Sequence, residues 1–539
     1  MANEKEYVVV VNRGVDLEEF DAEVAADTGS GPIPNRAVEV ANPRWGSKRM
    51  THWMLTDAEA ETLASDERVL AVEIPADQRD DISIGLNASQ TAIFQRQSGN
   101  NSTWVNWGLR RCIEEKNDDI FDNATTLTGD YTYPLDGTGV DFIVQDSGIQ
   151  ADHPEFQDAA GVSRVQQIDW FAGSGIVGET QDSNFYTDYD GHGTHCAGIA
   201  TGKTFGWAKN ARIYSQKLGG LEGTLDPNSG ISITNAFDTI RLWHNNKSGA
   251  DANRPTVVNM SWGYGTTRTG DPTSGTYRGT AWTYGVDYTT RAELEAATGV
   301  NENRTTSGGS PACRMSIRVA SVDAEIEDML DAGIHVVIAA GNNYNKVEAF
   351  GGTDYDNEVV WSGITTTYHR GSSPYSSNAY MVASLDSTTQ SSVVPGGTNV
   401  RDRTSIFSSR GPGCNIWAPG SDIMSATSND YNTSKFAPIA YFDNASFYQM
   451  SISGTSMAAP QVAGLCCLHL QVIPGMSPSD LKDRIENDAK SVVYSTGTSS
   501  DYNQVSTSTF GQATKILYSK YNQENPWTLS GPSNISIGS

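Results

Sequence analysis

From Val140 to the end of the helix that follows Ser456, short apolar runs alternate with helix-period patterns, and no other feature restricts the fold of this chain as much. Strand-like runs at 140–144, 212–218, 257–260 and 336–340 are separated by helical patterns at 231–243 and 322–332. Apolar strands that alternate with helices imply an α/β fold, a mainly parallel sheet flanked by helices. In such a sheet ligands gather at the carboxyl ends of the strands, so polar residues placed there are the candidates for chemistry.

Four residues stand at such places. Ser456 lies in SISGTSMAAPQVAG, 451–464, where small residues form a turn that feeds a helix through Val462, Leu465 and Leu468. Pro460 is tolerated near the first helical turn. The Ser456 hydroxyl is expected to be presented rather than buried, at the positive end of the helix dipole; a serine that merely caps its helix is the ordinary alternative. Asp146 ends the first strongly apolar strand in VQDSG, and His192 opens a helix in DGHGTHCAGIA among glycines that leave its imidazole accessible. Asn342 ends the run IHVVIAAGN with an amide suited to an oxyanion. Taken singly, a turn Asp, a helix-start His and a turn Asn are commonplace, and His195 reads as a packed or hydrogen-bonded histidine. Together on one scaffold they each fall at the carboxyl end of a strand or the start of a helix, the crevice where such sheets place ligands.

At this point the chain resembles the subtilisin superfamily of serine proteases, most closely the branch typified by proteinase K. The matching strings are WGL at 107–109, VQDSGIQADHPEF at 144–156, DGHGTHCAGIA at 190–200, NMSWG at 259–263, AAGN at 339–342, FSSRG at 407–411, APGSDI at 418–423 and SGTSMAAPQVAG at 453–464. Eight strings in the family's order are far more specific than any one of them. The resemblance implies a serine endopeptidase acting through an acyl-enzyme on protein or peptide substrates. Ser456 would be the nucleophile, His192 the general base and acid, and Asp146 its orienter. Asn342 and the Ser456 N–H would form the oxyanion hole. It also implies a substrate-pairing edge at Ser261, Trp262 and Gly263, with Ser229 and Gly230 on the opposite strand. Ala339, Ala340 and Gly341 would form the other wall of the first pocket. Trp262 is larger than the aliphatic residue usual there, and a core role for it is equally open. No cofactor is required for catalysis; structural calcium is common in the family, and Asp386 matches one ligand. Cys196 matches the thiol-bearing branch, which implies sensitivity to heavy metals and thiol reagents without a catalytic role.

Residues 1–81 differ in composition, with 18 Asp or Glu and 8 Lys or Arg. Their pattern reads βαββαβ, a small α+β unit of ferredoxin-like type, with a capping box at Thr56 and Glu59. The string LTDAEAETLASDERVLAVEIP, 55–75, resembles the family's propeptide, so this unit is expected to be an intramolecular chaperone and inhibitor removed by self-cleavage. Residues 82–103 read as a polar linker that holds the processing site, and 104–539 as the peptidase domain. Two stretches near 264–314 and 344–404 read as irregular insertions.

Six cysteines without metal or disulfide spacing fit a reducing compartment. A net charge of −27 argues against nucleic acid or an anionic membrane as partner. No apolar run is long enough to span a bilayer, and the charged start MANEKEYVVVV has no signal core, so the chain is expected to be soluble and cytoplasmic at synthesis. The missing signal and the insertions keep open an assembly protein, for example of a particle, whose proteolysis is confined to itself or to one partner.

Overall fold

The computed structural model describes residues 4–26, 31–33, 36–42, 47–79, 83–86, 107–113, 133, 135–181, 185–219, 230–300, 305–307, 310–387, 402–430, 437–490 and 510–521. Its centre is a seven-stranded parallel sheet. In spatial order the strands are Ile416–Pro419, Tyr380–Leu385, His335–Ala339, Thr256–Met260, Asp141–Asp146, Arg212–Lys217 and Val165–Gln166. The first of these in the chain, Asp141–Asp146, lies between Thr256–Met260 and Arg212–Lys217. Later strands are added first on one side of it and then on the other. It therefore stands at the switch point of the topology, where a crevice opens at the strand ends.

Side chains alternate across the sheet as the strand period requires. Phe142, Val144, Val257, Val337 and Ala339 pack with the helices His192–Thr201 and Thr455–Val472. Ile143, Val258, Val336 and Ile338 face the helices Ile233–Asn245 and Ala320–Asp331. The helix Thr455–Val472 is buried from Thr455 to Leu470, so it is a core helix with no solvent face over that length. No helix among the described residues is long and apolar enough to cross a membrane.

The N-terminal residues form an antiparallel four-stranded sheet in the order Val40–Asn42, Met50–Leu55, Lys5–Val11, Val69–Glu73. Its helices are Leu17–Ala25 and Asp57–Ala64. Val9, Val11, Phe20, Val24, Trp53, Leu55 and Leu63 make its own core. The capping box forms: the Glu59 N–H donates to Thr56 Oγ1 at 3.3 Å and the Thr56 N–H to Glu59 Oε2 at 2.8 Å.

The opposite face of this sheet carries Val8, Val10 and Met50 onto Ala324 of the helix Ala320–Asp331. That helix lacks a cap of its own, because its N-cap is Val319. The Ser321 N–H instead donates to Glu73 Oε1 of the N-terminal unit at 2.7 Å. At the other end Glu327 and Asp331 sit at the negative pole of the helix dipole, and Arg13 of the N-terminal unit pairs with both. One element thus complements both ends of a helix in another.

Among the described residues, the stretches read as irregular insertions contain antiparallel strands, and the second also carries Tyr380–Leu385 of the central parallel sheet. Thr280–Thr283, Pro272–Tyr277, Glu358–Trp361 and Ile364–Thr367 form a sheet, and Trp282, Leu294, Val300, Cys313, Met315, Val359, Trp361 and Tyr368 form a separate apolar cluster. Each insertion buries its apolar residues against the other, some 80 positions away, which local periodicity does not register. The stretch read as a linker also contains a strand, Ser83–Leu86, paired antiparallel with Trp262–Gly265.

Candidate active site

The switch-point strand delivers Asp146 at its carboxyl end, and the His192 helix begins opposite it. Asp146 Oδ1 accepts from the Ser147 N–H and from His192 Nδ1, both at 2.8 Å. Gly193 stands so close to the Gly148 carbonyl that a Cβ there would meet it at 2.2 Å. A glycine is needed for the helix start to reach the carboxylate. A buried carboxylate, Asp188, holds this junction: it accepts from Ser147 Oγ at 2.8 Å, from the Gly191 N–H at 2.8 Å and from the Thr194 N–H at 2.9 Å. The sequence reading passed over Asp188, although it lies two residues before the DGHGTH string.

Burial acts to lower the His192 pKa, but the Asp146 carboxylate, with Cys196 behind it, more than reverses this, and the imidazole is held well above its ordinary value. His195, on the same helix, is buried and pushed down to about 3, with Nε2 against the Met450 carbonyl at 3.0 Å. Of the two, only His192 contacts the carboxylate.

Ser456 occupies the first turn of its helix, as expected. Its hydroxyl is not presented to solvent, however: Asp146, His192 and Ser456 are all fully buried, and the cleft edge beside them is taken up by Ser83–Leu86 of the same chain. Ser456 Oγ donates to the Ser261 carbonyl at 3.1 Å, and His192 Nε2 is buried without a hydrogen-bond partner. The serine–histidine link therefore requires Ser456 to turn from Ser261 toward the imidazole. Pro460 has a further consequence for this site. Without an N–H it cannot bond the carbonyl four residues earlier, that of Ser456. That carbonyl accepts instead from Ser261 Oγ at 3.0 Å and Cys196 Sγ at 3.4 Å. Burial raises the Cys196 pKa and keeps it a thiol.

Asn342 follows the strand His335–Ala339. Its Oδ1 accepts from the Thr455 N–H at 2.8 Å and Thr455 Oγ1 at 3.0 Å. These two bonds identify the oxygen as the amide's acceptor end at Thr455. Thr455 Oγ1 also accepts the Gly341 N–H at 3.0 Å. Next to Asn342, the Ser456 N–H is a first-turn donor without an intrahelical acceptor. Thr455 was not singled out from the sequence, since a threonine beside a serine carries no chemical signature of its own.

Asp146, His192, Asn342 and Ser456 are thus gathered at one set of strand ends. The expected substrate-pairing residues divide. Gly263 pairs with Gly85 in the Ser83–Leu86 ladder and Ser261 lies just beyond it; the Gly341 N–H reaches Thr455, while Ala339 and Ala340 are buried in the core. The Trp262 side chain is fully buried among Phe237 and Tyr264, ring centroids 6.4 and 5.9 Å away, as a core residue. Gly230, at φ +128°, packs on Leu218 and Gly219; Ser229 lies outside the described residues. The Asp386 carboxylate carries the Arg403 guanidinium, whose Nε donates to Oδ2 at 3.0 Å, so a group already neutralised does not fit a calcium ligand. Among the described residues, the one close grouping of metal-ligating side chains is Asp146, His192 and Cys196, which bond one another. All six cysteines are free and buried.

The model of a family described as the subtilase family, Peptidase_S8, matches residues 137–512. Alkaline serine exoprotease A of Vibrio alginolyticus is 25% identical over 432 residues, 80% of this chain and 53% of that protein. Subtilisin-like protease 3 of Arthroderma otae is 25% identical over 522 residues, 95% of this chain and 90% of that one. The chain spans about half to two thirds of the length of several other curated relatives that it matches. Among solved structures, a cold-adapted subtilisin-like serine proteinase is 22% identical with a TM-score of 0.43, over 76% of this chain and 97% of that one.

Proposed function

Since the chain belongs to the subtilase family, we propose that it is a serine endopeptidase that hydrolyses peptide bonds in proteins through an acyl-enzyme, and that it is made as a self-processing zymogen. The observation that carries this reading is the His192–Asp146 pair at 2.8 Å beside Ser456, with the Asn342 amide anchored by Thr455 on the far side. Ser456 Oγ turns from the Ser261 carbonyl to His192 Nε2, loses its proton there and attacks the scissile carbonyl. Charge that develops on the carbonyl oxygen meets Asn342 Nδ2 and the Ser456 N–H. Asp146 keeps the proton of His192 on Nδ1, so that Nε2 is free to accept one, and stabilises the imidazolium. The proton then passes to the leaving amine, and water reverses the sequence to release the acid.

The N-terminal unit is the chain's own inhibitor and folding aid. Its sheet caps the helix Ala320–Asp331 at both ends, and the segment after it lies in the cleft as an added strand, the way an extended peptide binds a sheet edge. Replacement of Ser456 by Ala tests both parts. The variant should leave a denatured protein substrate intact and remain a full-length chain; persistence of either cleavage excludes Ser456 as the nucleophile.

A further inference from the structure

We propose that this enzyme holds protein substrates in extended form as far as the seventh residue before the scissile bond, and that Arg314 selects an acidic side chain there. The proposal rests on the reading of the chain as an endopeptidase and adds a specificity surface made by one of its insertions. The edge strand that pairs with Ser83–Leu86 does not stop with that ladder. It runs from Trp262 to Thr269, and from Gly265 to Thr269 the insertion strand Ser310–Ser316 backs it on the other side. Ser83 lies opposite Gly265, so Ser83–Leu86 occupies the free side only as far as Gly265.

The backbone of the edge shows what the remainder offers. The Tyr264 N–H donates to the Ser373 carbonyl at 3.0 Å, and the Tyr264 carbonyl accepts from the Ile317 N–H at 3.0 Å. Both groups therefore point away from Ser83–Leu86. Direction alternates along a strand, so Thr266 and Arg268 turn theirs to Ser310–Ser316, while Gly263, Gly265 and Thr267 turn theirs to the free side. At Thr269 the free run ends, because its carbonyl accepts from Trp361 Nε1 at 3.0 Å. Thr267 is exposed, and among the described residues no strand pairs with it on the free side. Its N–H and carbonyl are open to an added strand that continues the Ser83–Leu86 ladder.

The register gives the position of that contact. The Ser261 carbonyl accepts from Ser456 Oγ at 3.1 Å, so a substrate residue opposite Ser261 brings its carbonyl to the nucleophile. Counted back along the edge, Gly263 faces the third residue before the bond, Gly265 the fifth and Thr267 the seventh. Thr267 and Arg314 are direct cross-strand partners, so their side chains share a face, and a residue opposite Thr267 turns its side chain to that face as well. Arg314 is exposed, while Cys313 and Met315 on the other face are buried in the apolar cluster of the insertions. Among the described residues no hydrogen bond or ion pair holds the Arg314 guanidinium. Two strand spacings, about 10 Å, separate the Arg314 backbone from an added strand, a span that arginine and glutamate side chains close from both ends over the small Thr267.

The test uses the full chain, expressed and allowed to process itself, on blocked peptide anilides with one common five-residue sequence before the bond. These are compared with versions extended by two residues, of which the outer is Glu, Gln or Lys. Two further backbone hydrogen bonds should raise kcat/KM about 5-fold or more on extension. Glu should exceed Gln, and Gln exceed Lys, by about 2- to 5-fold each at low salt, a ranking that salt at about 0.5 M flattens. Arg314→Gln should erase the ranking and keep the gain from length. Thr267→Pro should erase the gain from length; its nitrogen faces the free side, so the ladder with Ser310–Ser316 loses no bond. Equal kcat/KM for five- and seven-residue peptides overturns the extended edge, and a charge ranking that survives Arg314→Gln overturns the role of Arg314. An enzyme that cuts neither these peptides nor a denatured protein overturns the endopeptidase reading beneath both.

Discussion

Thr455 offers the most informative perturbation of the oxyanion site, because it touches Asn342 and not the substrate. Its hydroxyl donates to Asn342 Oδ1 at 3.0 Å and accepts the Gly341 N–H at 3.0 Å. Thr455→Val keeps the shape and removes both bonds, while the Thr455 N–H to Asn342 Oδ1 bond at 2.8 Å stays. A hydrogen bond of this kind contributes about 0.5–1.5 kcal/mol. If that energy holds the amide in its productive orientation, kcat should fall about 2- to 12-fold with KM unchanged, since the amide acts on charge present only in the transition state. Loss of the donor altogether, in Asn342→Ala, should lower kcat by about 100- to 1,000-fold. Steady-state hydrolysis of a short peptide anilide by the processed enzyme measures both. The decisive comparison is the double variant: with Asn342 gone, Thr455→Val should change kcat by less than about 2-fold, because non-additivity marks residues that act together. An equal fall in both backgrounds would refute the coupling and assign the loss to the orphaned Gly341 N–H.

Other expectations follow from burial and charge. Because the His192 pKa is raised and the base must be neutral, kcat/KM should be lost as pH falls through an apparent pKa above 6.5, and Asp146→Asn should move that limb downward in a pH–rate series. Burial lowers His153, His335 and His369 to about 4 and His195 and His469 to about 3. Their contribution to stability is complete above the unfolded value near 6.5 and disappears as pH falls from there toward about 4. Over the full titration it is worth about 3 kcal/mol for each histidine at about 4 and about 5 kcal/mol for each at about 3. Thermal melts of the Ser456→Ala chain should therefore fall steeply between pH 6.5 and 4.5, and a flat melting temperature across that window contradicts the buried neutral histidines. Glu73→Gln together with Arg13→Ala should loosen the N-terminal unit, with the cap worth about 1 kcal/mol. Amide exchange of Ser321 and its neighbours should rise in that variant while residues of the central sheet keep their protection.

The legible part of the fold was local. The strand ending at Asp146, the helix after His192, the run ending at Asn342 and the helix after Ser456 each carry a complete periodic signal, and the structure forms them within a residue or two of the expected limits. The N-terminal βαββαβ order was legible for the same reason. What could not be read depended on a distant partner. Ser83–Leu86 is short and polar in its surroundings and becomes a strand only against Trp262–Gly265. The strands of the insertions exist because two stretches bury each other. Trp262, at a position expected to shape a pocket, was resolved by packing: Phe237 and Tyr264 leave room for the indole in the core.

The division follows from what the two levels of information contain. Periodicity, turn chemistry and eight ordered strings determine from sequence alone that this chain folds a parallel sheet with an aspartate, a histidine, an asparagine and a serine at its strand ends. Only the tertiary structure decides that Asp188 and Thr455 hold them, that Arg403 pairs with Asp386, that Ser456 points for the moment at Ser261, and that Ser83–Leu86 pairs with Trp262–Gly265. Each of these is a hydrogen bond or contact between residues far apart in sequence, and a distance across space has no representation in the order of residues until the backbone has folded.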